Sequence, residues 1–394
     1  MTLFPIAHPR LGLSITTDSV CLVEIKPTLR GRVFRQLAHQ ALPEGLVQLS
    51  STKPNISDPD ALSEVLRVLT KGYRKPQPIV LSLPDVAGRT ALFEFKDFPK
   101  NLPDREAILN WRFQQDINLS TKNARIGFRL YEPQKQRKRK PAQSPSLRRV
   151  LATAVPNTII EQYEMACLKA GLLPLGVGLS SLDVLDLFRA MIQETSQTAT
   201  RRSQKPGRES LFLYLAGWGF SFIALREGIP AFVRVKSLRL VRPQEMPPPT
   251  VDASLMLQNP TSTLGSQPFA DPKGSSGNLE PKSANVSSAS GNTRMLTNEL
   301  VATLQYYLES FQTTSWEGQA LPLYMAEGME QGGTLLPAIQ DIESILKTSM
   351  LDSPPINLLT FSEHLKATFP AGDKLTPYTY QKALPAYASV MVSS

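Results

Sequence analysis

Two stretches of this chain, one near its start and one just past its middle, share a layout: an apolar strand, a tip of small residues, and a strand returning. No other feature narrows the fold as much. The first stretch reads LGLSITTDSVCLVEI, residues 11 to 25. Leu11, Leu13 and Ile15 share one side of an extended segment, Val20 and Leu22 belong to the return, and Thr16, Thr17, Asp18 and Ser19 form the tip. The second reads SLFLYLAGWGFSFIALREGIPAFVRV from Ser210, with Gly217 and Gly219 at its break. Its apolar run is shorter than the roughly 20 residues a membrane-spanning helix needs, and those glycines interrupt it, so a hairpin is expected. The repeat is one of pattern, not of identity. Distributed over 394 residues, it predicts two lobes.

The segments between the hairpins supply an α/β frame. RGRVFRQLAHQALPEGLV continues the first hairpin as a third strand, and SDPDALSEVLRVLTKGYRK is a helix with Ser57 or Asp58 as N-cap and Pro59 at its first position. PIVLSLP follows as a buried strand. From about residue 86 to 172 the order changes to strand (RTALFEFKDFP), helix (DREAILNWRFQQDI), two strands (RIGFRLYEP, RRVLATAVP) and helix (NTIIEQYEMACLKAGL), which reads as a subdomain inserted into a first lobe of residues 1 to 200. LSSLDVLDLFRAMIQE is a further amphipathic helix, followed by a basic linker over 195 to 209. The second lobe, 201 to 394, holds an insertion at 241 to 291 whose Pro, Ser, Asn, Gly and Thr predict disorder. Order resumes with helix RMLTNELVATLQYYLESF, strand PLYMAEG, helix LLPAIQDIESILKTS and strand INLLTF.

Composition excludes several function classes. Hydrophobic residues make up 41% and charged ones 20%, so the chain is not globally disordered, and its 33 prolines belong to loops and linkers. The net charge of +9 is concentrated in QRKRK (136 to 140) and RRSQKPGR (201 to 208), read as solvated loops. No aromatic interleaving, helix-turn-helix or zinc pattern accompanies them, so no nucleic acid is expected as a partner. Cys21 and Cys167 are far apart and read as buried thiols of a reducing compartment. No signal peptide opens the sequence. His8, His39 and His364 have no cysteines or carboxylates clustered around them, so no metal site is expected, and no nucleophile, base and orienter set is legible.

The two hairpins, the inserted module and a late strand ending near glycine together resemble the actin-like ATPase superfamily. Within it the chain is most similar to the PilM family of type IV pilus assembly proteins, related to the cytoplasmic part of the type II secretion protein GspL. The stretches that carry this are LGLSITTDSVCLVEI, QALPEGLV, FPKNLPDREAILNWRFQQDI, and TNELVATLQYYLES before LPLYMAEG. The resemblance implies an actin-like (ribonuclease H-like) two-lobed α/β fold with an inserted strand-helix-strand-strand subdomain. It also implies an interlobe nucleotide site. In the family the first hairpin carries an Asp, any residue, then Gly, for magnesium and for close approach to phosphate. Here Ser14 and Thr16 stand at those positions, beside Thr17 and Asp18, and the second hairpin places Tyr214 and Ala216 there, before Gly217. A serine offers a divalent ion no charge, and threonine's β-branch resists positive φ. The family's late Gly-Gly is reduced to Ala326, Glu327 and Gly328, and the preceding helix keeps Glu299 but has Ala302 in place of a basic residue. Hydrolysis needs metal-bound phosphates and an oriented water, so a degenerate site is expected, with no cofactor or with ATP and magnesium bound weakly.

What the resemblance leaves is recognition. It implies a bacterial scaffold at the cytoplasmic face of the inner membrane. Such a scaffold would bind the N-terminal cytoplasmic peptide of a PilN-like membrane protein in a groove between the first subdomain and the module, and would have other pilus assembly proteins as partners. Leu92, Phe93, Phe95, Phe98 and Trp111 are the candidate wall of that groove. INLLTF looks like the partner's own Ile-Asn-Leu-Leu motif and is read as an internal strand. The alternative is an actin-like ATP-binding protein with nucleotide-dependent activity in pilus or type II secretion assembly, Asp18 reaching a metal from an unusual position. The sequence ends at YASVMVSS with no membrane helix, so tethering is expected to come from a partner.

Overall fold

Strand β9 (Glu209–Ala216) explains how the second lobe is layered. It is buried along nearly its whole length, yet its residues separate by alternation into two cores. Leu211, Leu213 and Leu215 pack with Phe220 and Phe222 of β10 (Gly219–Arg226) and with Leu296, Leu300, Leu304 and Tyr307 of helix α5 (Ala284–Ser310). Phe212, Tyr214 and Ala216 face the other way, into a core shared with the first lobe. The sheet is completed by β11 (Ile229–Ser237), β12 (Leu321–Gly328) and β13 (Ile356–Thr360) in the order β11-β10-β9-β12-β13.

The first lobe repeats this plan. Strands β1 (Leu11–Ile15), β2 (Ser19–Thr28) and β3 (Gly31–Ala41) form an antiparallel meander. Parallel strands β4 (Gln77–Leu83) and β8 (Leu172–Leu179) extend it in the order β3-β2-β1-β4-β8. Two sheets of matching order, each built on a hairpin at its centre, make the duplicated actin-like fold that the resemblance implies. The computed structural model describes residues 9–28, 31–73, 76–131, 147–202, 209–238, 284–310, 321–328, 356–360 and 377–392. Helix α1 (Pro59–Thr70) starts as expected: the Asp58 carboxylate accepts from the amides of Asp60 and Ala61, both at 3.0 Å.

Between β4 and β8 the chain builds the module: β5 (Arg89–Phe95), α2 (Leu102–Ile117), β6 (Ala124–Tyr131) and β7 (Arg148–Pro156), with sheet order β5-β7-β6. Helix α3 (Asn157–Lys169), placed in the inserted span by the sequence pattern, packs instead on α1 and β8. Its Ile159, Ile160, Tyr163 and Cys167 belong to the first lobe's core. Strand β8 went unread because Pro174, Gly176 and Gly178 stand within its eight residues, a composition tolerated at a sheet edge.

Helix α4 (Ser180–Arg202) runs into the stretch read as a basic linker, and α5 begins inside the stretch read as disordered. The remainder of that insertion, QRKRK, most of RRSQKPGR and the helix expected at LLPAIQDIESILKTS lie outside the described residues. A C-terminal helix, α6 (Pro377–Val392), was not anticipated: it carries Pro385 in its interior and apolar residues on every side, so no amphipathic stripe marks it. It packs against α4, β1, β2, β4 and β12, joining the lobes. Gly12 permits this, since a Cβ there would lie 1.9 Å from the Ala386 carbonyl oxygen. Among the described residues, no helix is long and apolar enough to cross a membrane.

Candidate functional site

The two hairpin tips meet, and α6 fills the space between them. Thr16, Thr17 and Asp18 from the first tip, Tyr214, Ala216, Gly217 and Trp218 from the second, Pro84 and Ser180, and Lys382 and Pro385 of α6 line a cavity of about 20 Å³, room for roughly one water molecule. Gly328 pairs with Ala216 in the sheet register, so the end of β12 reaches the same tip. Sequence reasoning therefore selected residues that the fold does bring together. Ser14 on β1 does not line the cavity, and neither does Glu299 on α5, which pairs with Lys236 (3.0 Å) and Arg234 (3.7 Å) on β11.

The polar atoms of the first tip are committed to one another. Thr16 Oγ1 donates to Asp18 Oδ1 at 2.7 Å, Ser19 Oγ approaches the same oxygen at 3.0 Å, and the Thr16 amide donates to the Ser19 carbonyl at 2.9 Å. Asp18 Oδ2 accepts from Lys382 Nζ at 2.7 Å, an ion pair whose side chains are only 15% and 5% exposed. Ser14 Oγ contacts the Lys382 carbonyl at 3.5 Å. Burial works against the charge on Asp18, but the hydrogen bonds from Lys382 and Thr16, with the lysine's charge, more than offset it and hold its pKa below the ordinary 3.8. Among the described residues that line the cavity Asp18 is the one carboxylate, it is paired with the Lys382 ammonium, and the space holds about one water. Lys382 is the charged lining residue that sequence reasoning missed. It lies 364 residues from Asp18, on the helix that carried no pattern.

Behind the cavity lies a second buried cluster between the lobes. Asp85 accepts from Ser221 Oγ of β10 at 2.6 Å and from the Ser181 amide at 3.1 Å, while Asp183 accepts from Ser82 Oγ at 3.1 Å. Burial pushes Asp85 up to about 6 and Asp183 up to about 7, against the lowering effect of Ser221 on the first and Arg129 on the second. A carboxyl whose folded pKa is raised favours the fold below its unfolded value of 3.8, and that contribution is lost as pH rises through about 6 for Asp85 and about 7 for Asp183. Stability from this cluster is thus expected to fall between about pH 4 and about pH 7, and Asp85→Asn to flatten that slope. Urea midpoints measured across this range check it; an unchanged slope in the variant contradicts it.

The candidate groove wall is not where the sequence placed it. Phe93, Phe95 and Phe98 are buried in the module's own core with Leu109 and Phe113, because Phe93 and Phe95, two residues apart, share the strand face that α2 covers. Leu92 points the other way and packs against the body. Trp111 is 57% exposed on α2 and lines no part of the groove. An open groove of about 750 Å³ does run between α2 and β6. Glu106, Asn110 and Gln114 form its helical side, Ala124, Arg125 and Ile126 its strand side, and Ser120, Thr121 and Lys122 line it as well. Among the described residues no strand pairs with the outer edge of β6. Arg125 reaches Glu164 of α3, with one contact at 2.8 Å, so this side of the module abuts the first lobe.

No family model and no curated protein sequence matches the chain. Among solved structures, a chain of the PilM-PilN type IV pilus biogenesis complex superposes with a TM-score of 0.62 at 19% identity, covering 99% of this chain and 98% of its own. A Bacteroides thetaiotaomicron protein with an actin-like ATPase fold and unknown function gives 0.40 at 9% identity, covering 89% and 90%. The cytoplasmic domain of EpsL, an inner-membrane component of the Vibrio cholerae type II secretion system, gives 0.33 at 10% identity, covering 87% and 94%. Two sheets of matching order around paired hairpins, and a superposition that spans nearly the whole chain, give this protein the actin-like fold in a form similar to that of the PilM-PilN complex.

Proposed function

We propose that this chain is a PilM-like scaffold of the type IV pilus assembly machinery. In this reading it acts at the cytoplasmic face of the inner membrane and captures the N-terminal cytoplasmic peptide of a PilN-like membrane protein without using nucleotide. The observation that carries this reading is the groove beside the edge of β6 with which no described strand pairs. A peptide laid along that edge extends the module's sheet by main-chain hydrogen bonds, and its alternate side chains meet Glu106, Asn110 and Gln114 on α2. Capture of this kind needs strand edges and side-chain pockets and no metal. The ion pair between Asp18 and Lys382, which takes up the lining carboxylate, supports a scaffold that works with its interlobe joint closed.

The test is a titration of a labelled N-terminal cytoplasmic peptide of a PilN-like inner-membrane protein. Wild type is expected to bind it. Gln114→Arg and Glu106→Arg, at exposed positions of the groove, are expected to weaken binding by about tenfold with the fold intact, and Trp111→Ala to leave it unchanged. Absence of wild-type binding at high micromolar peptide overturns the reading.

A further inference from the structure

Strand β6 does two jobs, and its alternation separates them. Ile126, Phe128 and Leu130 face α2 and pack into the module core. Arg125, Arg129 and Tyr131 fall on the opposite face, which the strand turns towards the first lobe. Arg129 makes the densest connection there: it pairs with Asp186, lies 3.6 Å from Asp183 Oδ1, and donates to the Leu182 carbonyl at 3.2 Å. All three acceptors sit in the first turns of α4. Two residues along β6, the Tyr131 ring lies 4.7 Å beneath the Arg189 guanidinium of the same helix.

The Arg129 site is built on the lobe's side as well. The Asp183 side chain is only 6% exposed, and its carboxylate occupies the space a side chain at Gly178 would need, since a Cβ there would lie 2.4 Å from Asp183 Oδ2. Removing Arg129 would take the neighbouring cation away from that buried acid. Surface ion pairs contribute little, but one that meets a buried acid and a backbone carbonyl holds two bodies in a fixed relation.

We infer that Arg129 is the positioning residue of the groove: by fixing β6 to α4 it sets where the groove's strand edge stands relative to the first lobe. The inference rests on the peptide reading for its functional consequence, not for its structural one. Arg129 touches no peptide, because it lines no part of the groove.

The experiment compares wild type with Arg129→Met, Arg129→Lys and Asp186→Asn by amide hydrogen exchange on the peptide-free protein and by affinity for the labelled peptide. Arg129→Met is expected to speed exchange in β6 and β7 by about tenfold while β9 and β10 keep wild-type protection, and to weaken peptide binding by about tenfold. Arg129→Lys, which keeps the charge, is expected to recover part of both. Asp186→Asn, which leaves Arg129 its Asp183 contact, is expected to shift both in the same direction by less. Wild-type exchange in Arg129→Met overturns the joint. Faster exchange with unchanged affinity overturns its role in the groove, and failure of wild type to bind any peptide overturns the peptide reading while the exchange result still decides the joint. If Arg129→Met does not fold, Asp186→Asn and Arg129→Lys decide by the same two readouts.

Discussion

Asp18→Ala is expected to cost about 3–5 kcal/mol of stability, because it leaves Lys382 as an unpaired cation in a site from which water is nearly excluded. Lys382→Met is expected to destabilise as well, stranding the carboxylate in turn. The pair itself is not the source of that stability, since desolvating two charges offsets most of their attraction. A double variant, Asp18→Ala with Lys382→Met, is therefore expected to lose much less than the sum of the two single changes. Urea unfolding of all four proteins measures the coupling; purely additive losses would show that the two residues act separately. The pH dependence has a definite sign. The folded pKa of Asp18 lies below its unfolded value of 3.8, so its contribution is fully present above that value and lost as pH falls through the folded one. The cluster at Asp85 and Asp183 has the opposite slope, so the two regions are separable by titration.

Phe93→Ala is the second large effect, expected to cost about 3–5 kcal/mol. Phe93 is 2% exposed and meets Phe113 edge-on at 5.2 Å, with the Arg112 guanidinium 5.1 Å from its ring. The module's core is small, a three-stranded sheet under one helix, so the cavity has few neighbours that can close it. Trp111→Ala, on the exposed side of the same helix, is expected to change stability by no more than about 0.5 kcal/mol. Circular dichroism melts distinguish the two. Equal effects would mean that α2 does not cover β5 as described.

The contrast between these two aromatics shows what the sequence could and could not reveal. Alternation along ALFEFKDF separates two faces, but which one meets a helix depends on where α2 returns, and that is set by the loop and by the module's sheet order. The hairpins were legible because short apolar strands break at small residues and return. The start of α1 was legible because Asp58 and Pro59 make a cap. Both are local signals. The Asp18–Lys382 pair had no local signal: its lysine lies inside a helix that is buried from Lys382 to Val390, and the close approach of α6 to Gly12 brings it to the tip. The groove was hidden for a related reason. β6 reads as an ordinary strand, and it stands at the edge of the described sheet because β7 takes the centre.

The most direct test of the account is the affinity of the labelled PilN-like peptide measured with and without millimolar Mg-ATP. The closed joint between the hairpin tips and the separate groove on the module predict the same dissociation constant in both conditions. Binding that appears only with Mg-ATP, or that strengthens by about tenfold or more in its presence, would contradict it.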